Sequence, residues 1–247
     1  MSGIQFVARN IFCNPTVLRG QPNSPPLSGP QVTNNWKAWP AAVLFLTRRL
    51  GFISVHRFYL NFMRPGTLLI SQPFLGDPNF ERSVVLLCRD EPEEGSFGLV
   101  LNRLTSLTLG DVLELPPHVN PTAAAIPLCV GGPVGPDTLH YVHRRSDLLG
   151  ATYLGQYVYW GGDFECLLGL IGSGDVGVGE VRFFAGYSGW SAGQLADEMQ
   201  GQTWIRHPAS AGKVFTLASD AFWRDILREK GGRFKVLANY PVDPRLN

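Results

Sequence analysis

Asp77-Pro-Asn-Phe-Glu-Arg82-Ser-Val-Val-Leu-Leu-Cys88, followed by Gly95-Ser-Phe-Gly98-Leu-Val-Leu-Asn102-Arg103, is the stretch from which the fold is read. Asp77 is placed as an N-cap with Pro78 at the first helical position, which predicts one helical turn through Arg82. Residues 83–89 and 97–102 are β-rich apolar runs separated by Glu93-Glu94-Gly95-Ser96, and they read as a hairpin. Their near-continuous apolarity predicts strands covered on both faces. No catalytic constellation lies in the stretch.

Working outward, strands and short helices alternate. Residues 67–71, 126–130, 138–143, 153–159 and 181–187 read as strands. Thr108-Leu-Gly-Asp111 opens a short helix through Leu113, and Pro116-Pro117 ends it. Asp163 caps an apolar helix to Ile171. Ser191-Ala-Gly-Gln194 is a capping box for a helix through Met199, stopped by Gly201. A last helix spans about 219–230, with Asp220 near its positive end and Arg228 and Lys230 near its negative end. Phe222 with Ile226, and Trp223 with Leu227, form its apolar stripe, and Gly231-Gly232 terminates it. This alternation predicts an α/β (α+β) layered domain.

The 247 residues are 45% hydrophobic and 17% charged, which suits a packed core and argues against disorder. The formal net charge of +1 hides an asymmetry. Residues 1–62 hold Arg9, Arg19, Lys37, Arg48, Arg49 and Arg57 and no Asp or Glu, so residues 63–247 hold all 20 acidic residues and 15 of the 21 basic ones. A net of about −5 there works against direct DNA binding, which rests on neutralising phosphates. Residues 1–40 are rich in Pro, Asn, Gly and Ser and read as disordered. Residues 41–62 are apolar and basic, which reads as an organelle-targeting or membrane-surface segment, as a peripheral helix, or as sequence upstream of the true start. Together, 1–62 read as a disordered or peripheral basic extension, and the favoured reading places the true start at Met63, where composition changes abruptly. No secretory signal opens the chain. No apolar run reaches the ~18 residues of a membrane-spanning helix. Cys13, Cys88, Cys129 and Cys166 lack CxxC spacing, which predicts reduced thiols in a cytoplasmic protein, with no metal site and no cofactor.

Each motif that carries chemistry has a plainer reading. Gly172-Ser-Gly174-Asp-Val-Gly177 matches GxGxxG, but it follows a helix and leads into a strand, the reverse of a dinucleotide loop. Gly186-Tyr-Ser188-Gly189-Trp190 lacks the GxSxG spacing of a nucleophile elbow and reads as a tight strand-to-helix turn. His140 and His143 are three apart on a strand, so they face opposite ways and do not share an ion. Cys88 and Cys129 are placed as buried thiols. Asp77, Arg82, Asn102 and Arg103 are polar residues set in apolar surroundings. A structural network is the favoured reading; a cleft for an anionic ligand or acidic partner is the other.

Taken in order, Pro65-Gly-Thr-Leu-Leu-Ile-Ser71, Asp77-Pro78-x-Phe80-x-Arg82-Ser83-Val84, Gly98-x-x-x-Asn102-Arg103, Gly131-Gly132-Pro133 and Gly186-Tyr187-Ser188-Gly189-Trp190-x-x-Gly193-Gln194-Leu195 resemble the bacterial YqgE/AlgH family. The ordered set, from about Arg64 onward, carries the resemblance. Where that family often has Glu after Gly-Gln-Leu, this chain has Ala196, and Glu198 keeps a later acidic position. The resemblance implies a bent or bifurcated mixed β-sheet forming a pseudo-barrel, flanked by short helices. It also implies a cytoplasmic protein described as a transcriptional regulator, without established enzymatic activity. By position, Asp77, Phe80, Arg82, Asn102, Tyr187, Trp190 and Gln194 are its candidate cleft residues. The expectation is therefore a non-catalytic interaction or regulatory protein that binds an unknown protein or small-molecule partner at a shallow apolar cleft, anchored by Trp190 or Tyr187. The alternative is a hydrolytic or thiol-based enzyme using Ser188 or a cysteine with His140, His143 or His207. The residues name no ligand, partner or oligomeric state.

Overall fold

The computed structural model describes residues 63–115, 121–217 and 221–241. The readings of residues 1–62, of Pro116-Pro117 and of Asp220 lie outside the described residues.

Ten strands build one mixed sheet. The hairpin at its centre pairs β2 (Val84–Glu91) with β3 (Gly95–Val100), antiparallel as read from the sequence. On one side follow β1 (Thr67–Ser71) and β10 (Trp204–Pro208). On the other side β3 pairs with β9 (Val181–Trp190), and the path continues through β6 (Val134–His143) and β8 (Val158–Trp160) to β7 (Thr152–Gly155).

β9 is where the sheet forks. Phe183, Phe184 and Ala185 pair in parallel with Leu128, Cys129 and Val130 of β5 (Pro127–Val130), which in turn pairs with β4 (Leu104–Thr108). Ser188, Gly189 and Trp190 pair instead with Gly98, Phe97 and Ser96 of β3. One edge of β9 thus changes partner midway, while β6 holds the other edge. Gly186 stands at the switch with φ +65, and a Cβ there would come within 2.8 Å of the Gly132 and Val134 carbonyl oxygens. Only glycine fits both the dihedral and the space. The bifurcated sheet is open: the path ends at β10 and β7 without closing the pseudo-barrel into a ring.

The central strands are buried on both faces because alternate side chains enter different cores. Leu68, Ile70, Val84, Leu86, Leu99 and Leu101 point to one cluster. Leu69, Val85, Leu87 and Val100 point to another. The first is closed by α5 (Ala211–Phe215), α6 (Phe222–Lys230) and α7 (Arg233–Leu237), with Trp223, Ile226 and Leu227 of α6 deepest. The second is closed by α4 (Gln194–Gln200) through Leu195 and Met199. A third cluster packs α1 (Leu109–Val112), α2 (Pro121–Ala124) and α3 (Phe164–Ser173) against Leu128, Val181 and Phe183.

Three local expectations are corrected. Residues 77–82 form successive turns and no helix. Asp77 Oδ1 accepts from Asn79 N at 2.8 Å, and Arg82 adopts φ +49, which a right-handed helix excludes. Residues 153–159 are not one strand but the hairpin β7–β8, because Gln156 and Tyr157 both take positive φ (52 and 58) and reverse the chain. Residues 186–190 are not a strand-to-helix turn but the last residues of β9. The turn comes later, at Gly193 with φ +80, and Gln194 Oε1 accepts from Ser191 N at 3.0 Å, half of the expected capping box. Elsewhere the caps agree with their residues. Asp163 Oδ1 accepts from Cys166 N at 3.0 Å at the start of α3, and Gly174 of the GxGxxG run is its left-handed C-cap.

Candidate functional site

The fold distributes the seven sequence-derived candidates over three places. Phe80, Trp190 and Gln194 come together beside Trp204 and Glu198. The Phe80 ring stacks on Trp190 at 6.2 Å and meets Trp204 edge-on at 5.5 Å. Glu198 Oε2 accepts the indole N–H of Trp190 at 2.9 Å and of Trp204 at 2.7 Å, while its Oε1 accepts from Gln194 Nε2 at 2.9 Å. One carboxylate therefore clamps α4 to β9 and β10. Trp190 is only 5% exposed and its N–H is engaged, so it has little left to offer a partner. Glu198 and Trp204 were not among the sequence candidates. The signal for Glu198 was its i,i+4 spacing from Gln194 on one helix face; its tryptophan partners needed the sheet.

Asp77 and Arg82 belong to the turn that enters β2, and Asn102, just past β3, braces it. Asn102 Oδ1 accepts from Val84 N at 2.8 Å and its Nδ2 donates to Arg82 O at 2.8 Å, standing in for a missing strand partner. Arg82 Nη2 donates to Tyr240 O at 2.7 Å, and its guanidinium lies 5.1 Å from the Trp223 ring centroid. Arg103 donates to Glu81 O. These groups tie the turn to the central hairpin and to the end of α7, as the structural-network reading expects.

Tyr187 points the other way from Trp190, three residues along the strand. Its ring stacks on Phe97 at 4.6 Å, and Phe97 also packs on Trp160 at 4.8 Å and on His140 at 5.1 Å. Val134 lies opposite Tyr187 on β6 and is 40% exposed. Tyr187, Trp160 and His140 are half-buried, so the cluster presents an aromatic surface. The Tyr187 hydroxyl makes no hydrogen bond with the described residues. Burial holds the His140 imidazole below its usual pKa, so it is neutral at pH 7, and its Nε2 lies 3.0 Å from Thr138 Oγ1.

The serine, cysteines and histidines of the enzyme alternative form no bonded pair among the described residues. Ser188 is fully buried and donates to Gly131 O at 3.1 Å. Cys88 is buried in the core, which pushes its thiol pKa up strongly. Cys129 is buried against Arg182, whose Nη2 reaches its Sγ at 3.0 Å and Leu101 O at 2.6 Å. His143 is buried between Gly161 O and Arg145 N, and His207 lies 3.9 Å from Glu229. Among the described residues, no histidine bonds any of these nucleophiles. Nor do three or more His, Cys, Asp or Glu converge there in a way that could hold a metal ion. No helix of the described residues is long and apolar enough to cross a membrane.

An open, forked mixed sheet with short helices over both faces is the architecture that carries these residues. Residues 68–235 match the AlgH-like family model (DUF179), and the chain belongs to that family. It is 43% identical over 184 residues to a UPF0301 protein of Cytophaga hutchinsonii, covering 74% of this chain and 98% of that protein. It is 40% identical over 186 residues to UPF0301 protein CT0663 of Chlorobaculum tepidum, covering 75% and 96%. The fold is similar to the crystal structure of DIP2367 from Corynebacterium diphtheriae, with TM-score 0.57 and 26% identity over 72% of this chain and 93% of that one. It is similar also to the solution structure of AlgH from Pseudomonas aeruginosa, with TM-score 0.56 and 25% identity over 72% and 94%.

Proposed function

We propose that this is a non-catalytic interaction protein with a regulatory role, which binds a partner or small ligand through the shallow apolar surface around Tyr187. The observation that carries the reading is the cluster in which half-buried Tyr187, Trp160 and His140 pack around the buried Phe97, with Val134 beside it. It combines rigid aromatic area with a hydroxyl that bonds none of the described residues, the composition of interface anchors. Between the two anchors expected from sequence, geometry favours Tyr187, since the Trp190 N–H is already bound within the fold. The cytoplasmic setting and the regulatory role are part of this proposal. Burial of Ser188, Cys88 and Cys129 weighs against the enzyme alternative.

The test is affinity capture with the full chain, compared with Tyr187→Ala and with Val134→Asp, which places a charge on the exposed edge of the same surface. A partner or ligand held by the wild type and lost by both variants, with melting temperatures kept, is the expected result. Unchanged binding in both variants would sink the proposal.

A further inference from the structure

The C-terminal helices carry a charge opposite to that of the rest of residues 63–247. Residues 221–241 hold Arg224, Arg228, Lys230, Arg233 and Lys235 against Asp225 and Glu229, a local net of about +3. Both carboxylates are engaged: Asp225 pairs with Arg228 at 3.1 Å, and Glu229 with Lys213 at 2.9 Å. Lys230 donates to Arg206 O at 2.8 Å and lies over the Phe234 ring. Arg224 and Lys235 make no hydrogen bond or ion pair with the described residues. Arg224 also stands close enough to Arg82 that its charge, after burial, lowers the Arg82 pKa, and Glu81 offsets this only in part.

Lys235 lines an open depression of about 350 Å³ together with Val236, Asn239, Tyr240 and Pro241. Its floor is largely apolar: Val236 is 60% exposed, and the lining Tyr240 is stacked on Phe74, outside the depression, at 5.7 Å. The floor is held in place by Arg82, which donates to Tyr240 O.

We propose that this depression docks a short acidic segment of a partner polypeptide, with an apolar side chain over Val236 and Tyr240 and carboxylates on Lys235 and Arg224. The occupant follows from charge. A short segment stays within the basic region, because at physiological ionic strength charges are felt over about 8 Å. A nucleic acid or an anionic membrane extends beyond it and meets the net-negative remainder. The chain's own N-terminal segment does not have the required chemistry, since residues 1–62 contain no Asp or Glu. This surface shares no residue with the Tyr187 cluster, so either proposal stands or falls alone.

The probe is a fluorescein-labelled synthetic peptide with acidic residues on both sides of a central leucine, titrated into the full chain by fluorescence anisotropy. Two controls are a peptide with lysines replacing the acids and vesicles of equal parts phosphatidylcholine and phosphatidylserine. Expected are binding of the acidic peptide alone, weakening as salt is raised, and a loss of about tenfold in Lys235→Glu and in Arg224→Glu. Neither side chain makes a hydrogen bond with the described residues, so both variants should melt with the wild type. No acidic-peptide binding up to millimolar concentration, binding indifferent to both reversals, or equal binding of the vesicles overturns the proposal. So does binding that appears only after residues 242–247 are removed, which would make the chain's own C-terminal segment the occupant. A mass that rises with concentration in the wild type and not in Lys235→Glu would make it a second copy, with the same consequence.

Discussion

Asn102 shows how a polar residue can look like a site and serve as a joint. Its amide uses both ends, on Val84 N and Arg82 O, within a surrounding only 5% exposed. Asn102→Ala leaves a buried donor and a buried acceptor unpaired, at roughly 1–3 kcal/mol each. The expected result is a melting temperature lower by roughly 4–24 °C, read by differential scanning calorimetry. An unchanged melting temperature would show that the residue is free to serve a ligand instead. Sequence reasoning placed Asn102, Arg82 and Arg103 in one network because they sit at the ends of apolar strands. It missed Glu198 as the common acceptor for Trp190 and Trp204, because Trp204 lies on β10, at the far end of the sheet path from β9.

Elements were legible where local chemistry and burial agree. The β2–β3 hairpin, α3 with its Asp163 cap, and the apolar stripe of α6 all lie where their residues put them. The β7–β8 hairpin was not legible. Its turn places Gln156 and Tyr157 at positive φ, where the usual signal is Asn-Gly, so the run read as one continuous strand. Pairing of Thr152 with Trp160 and Tyr153 with Tyr159 holds the turn against its residues' preferences. Replacing Gln156→Asn and Tyr157→Gly together should relieve that strain and stabilise the protein by about 1 kcal/mol. Chemical denaturation would measure it; a loss of stability would mean that the exposed Tyr157 ring contributes more than its backbone costs.

At the scale of the whole molecule, buried histidines couple the fold to pH. Burial, partly offset by the hydrogen bond to Gly161 O, lowers the His143 pKa from its usual 6.5. His140 and His207 are lowered by burial as well. The unfolded chain therefore takes up protons first as pH falls, and the folded state loses stability below about pH 6.5. Thermal melts between about pH 8 and about pH 5 should show a flat region and then a decline. His143→Asn should flatten the decline; a wild-type curve that rises toward acid pH would contradict the assignment.

Family membership, the hairpin that seeds the sheet and the charge asymmetry along the chain are all written in local sequence. These depend on neighbours in the chain: apolar alternation, caps, and counts of Asp, Glu, Lys and Arg. Tertiary packing alone set the fork of β9 at Gly186, where one edge changes partner from β5 to β3. It also brought Arg82, Arg224 and the end of α7 to one place, across more than a hundred residues of sequence. Such pairings are set by which distant strands and helices meet over a shared core, and no local spacing encodes that.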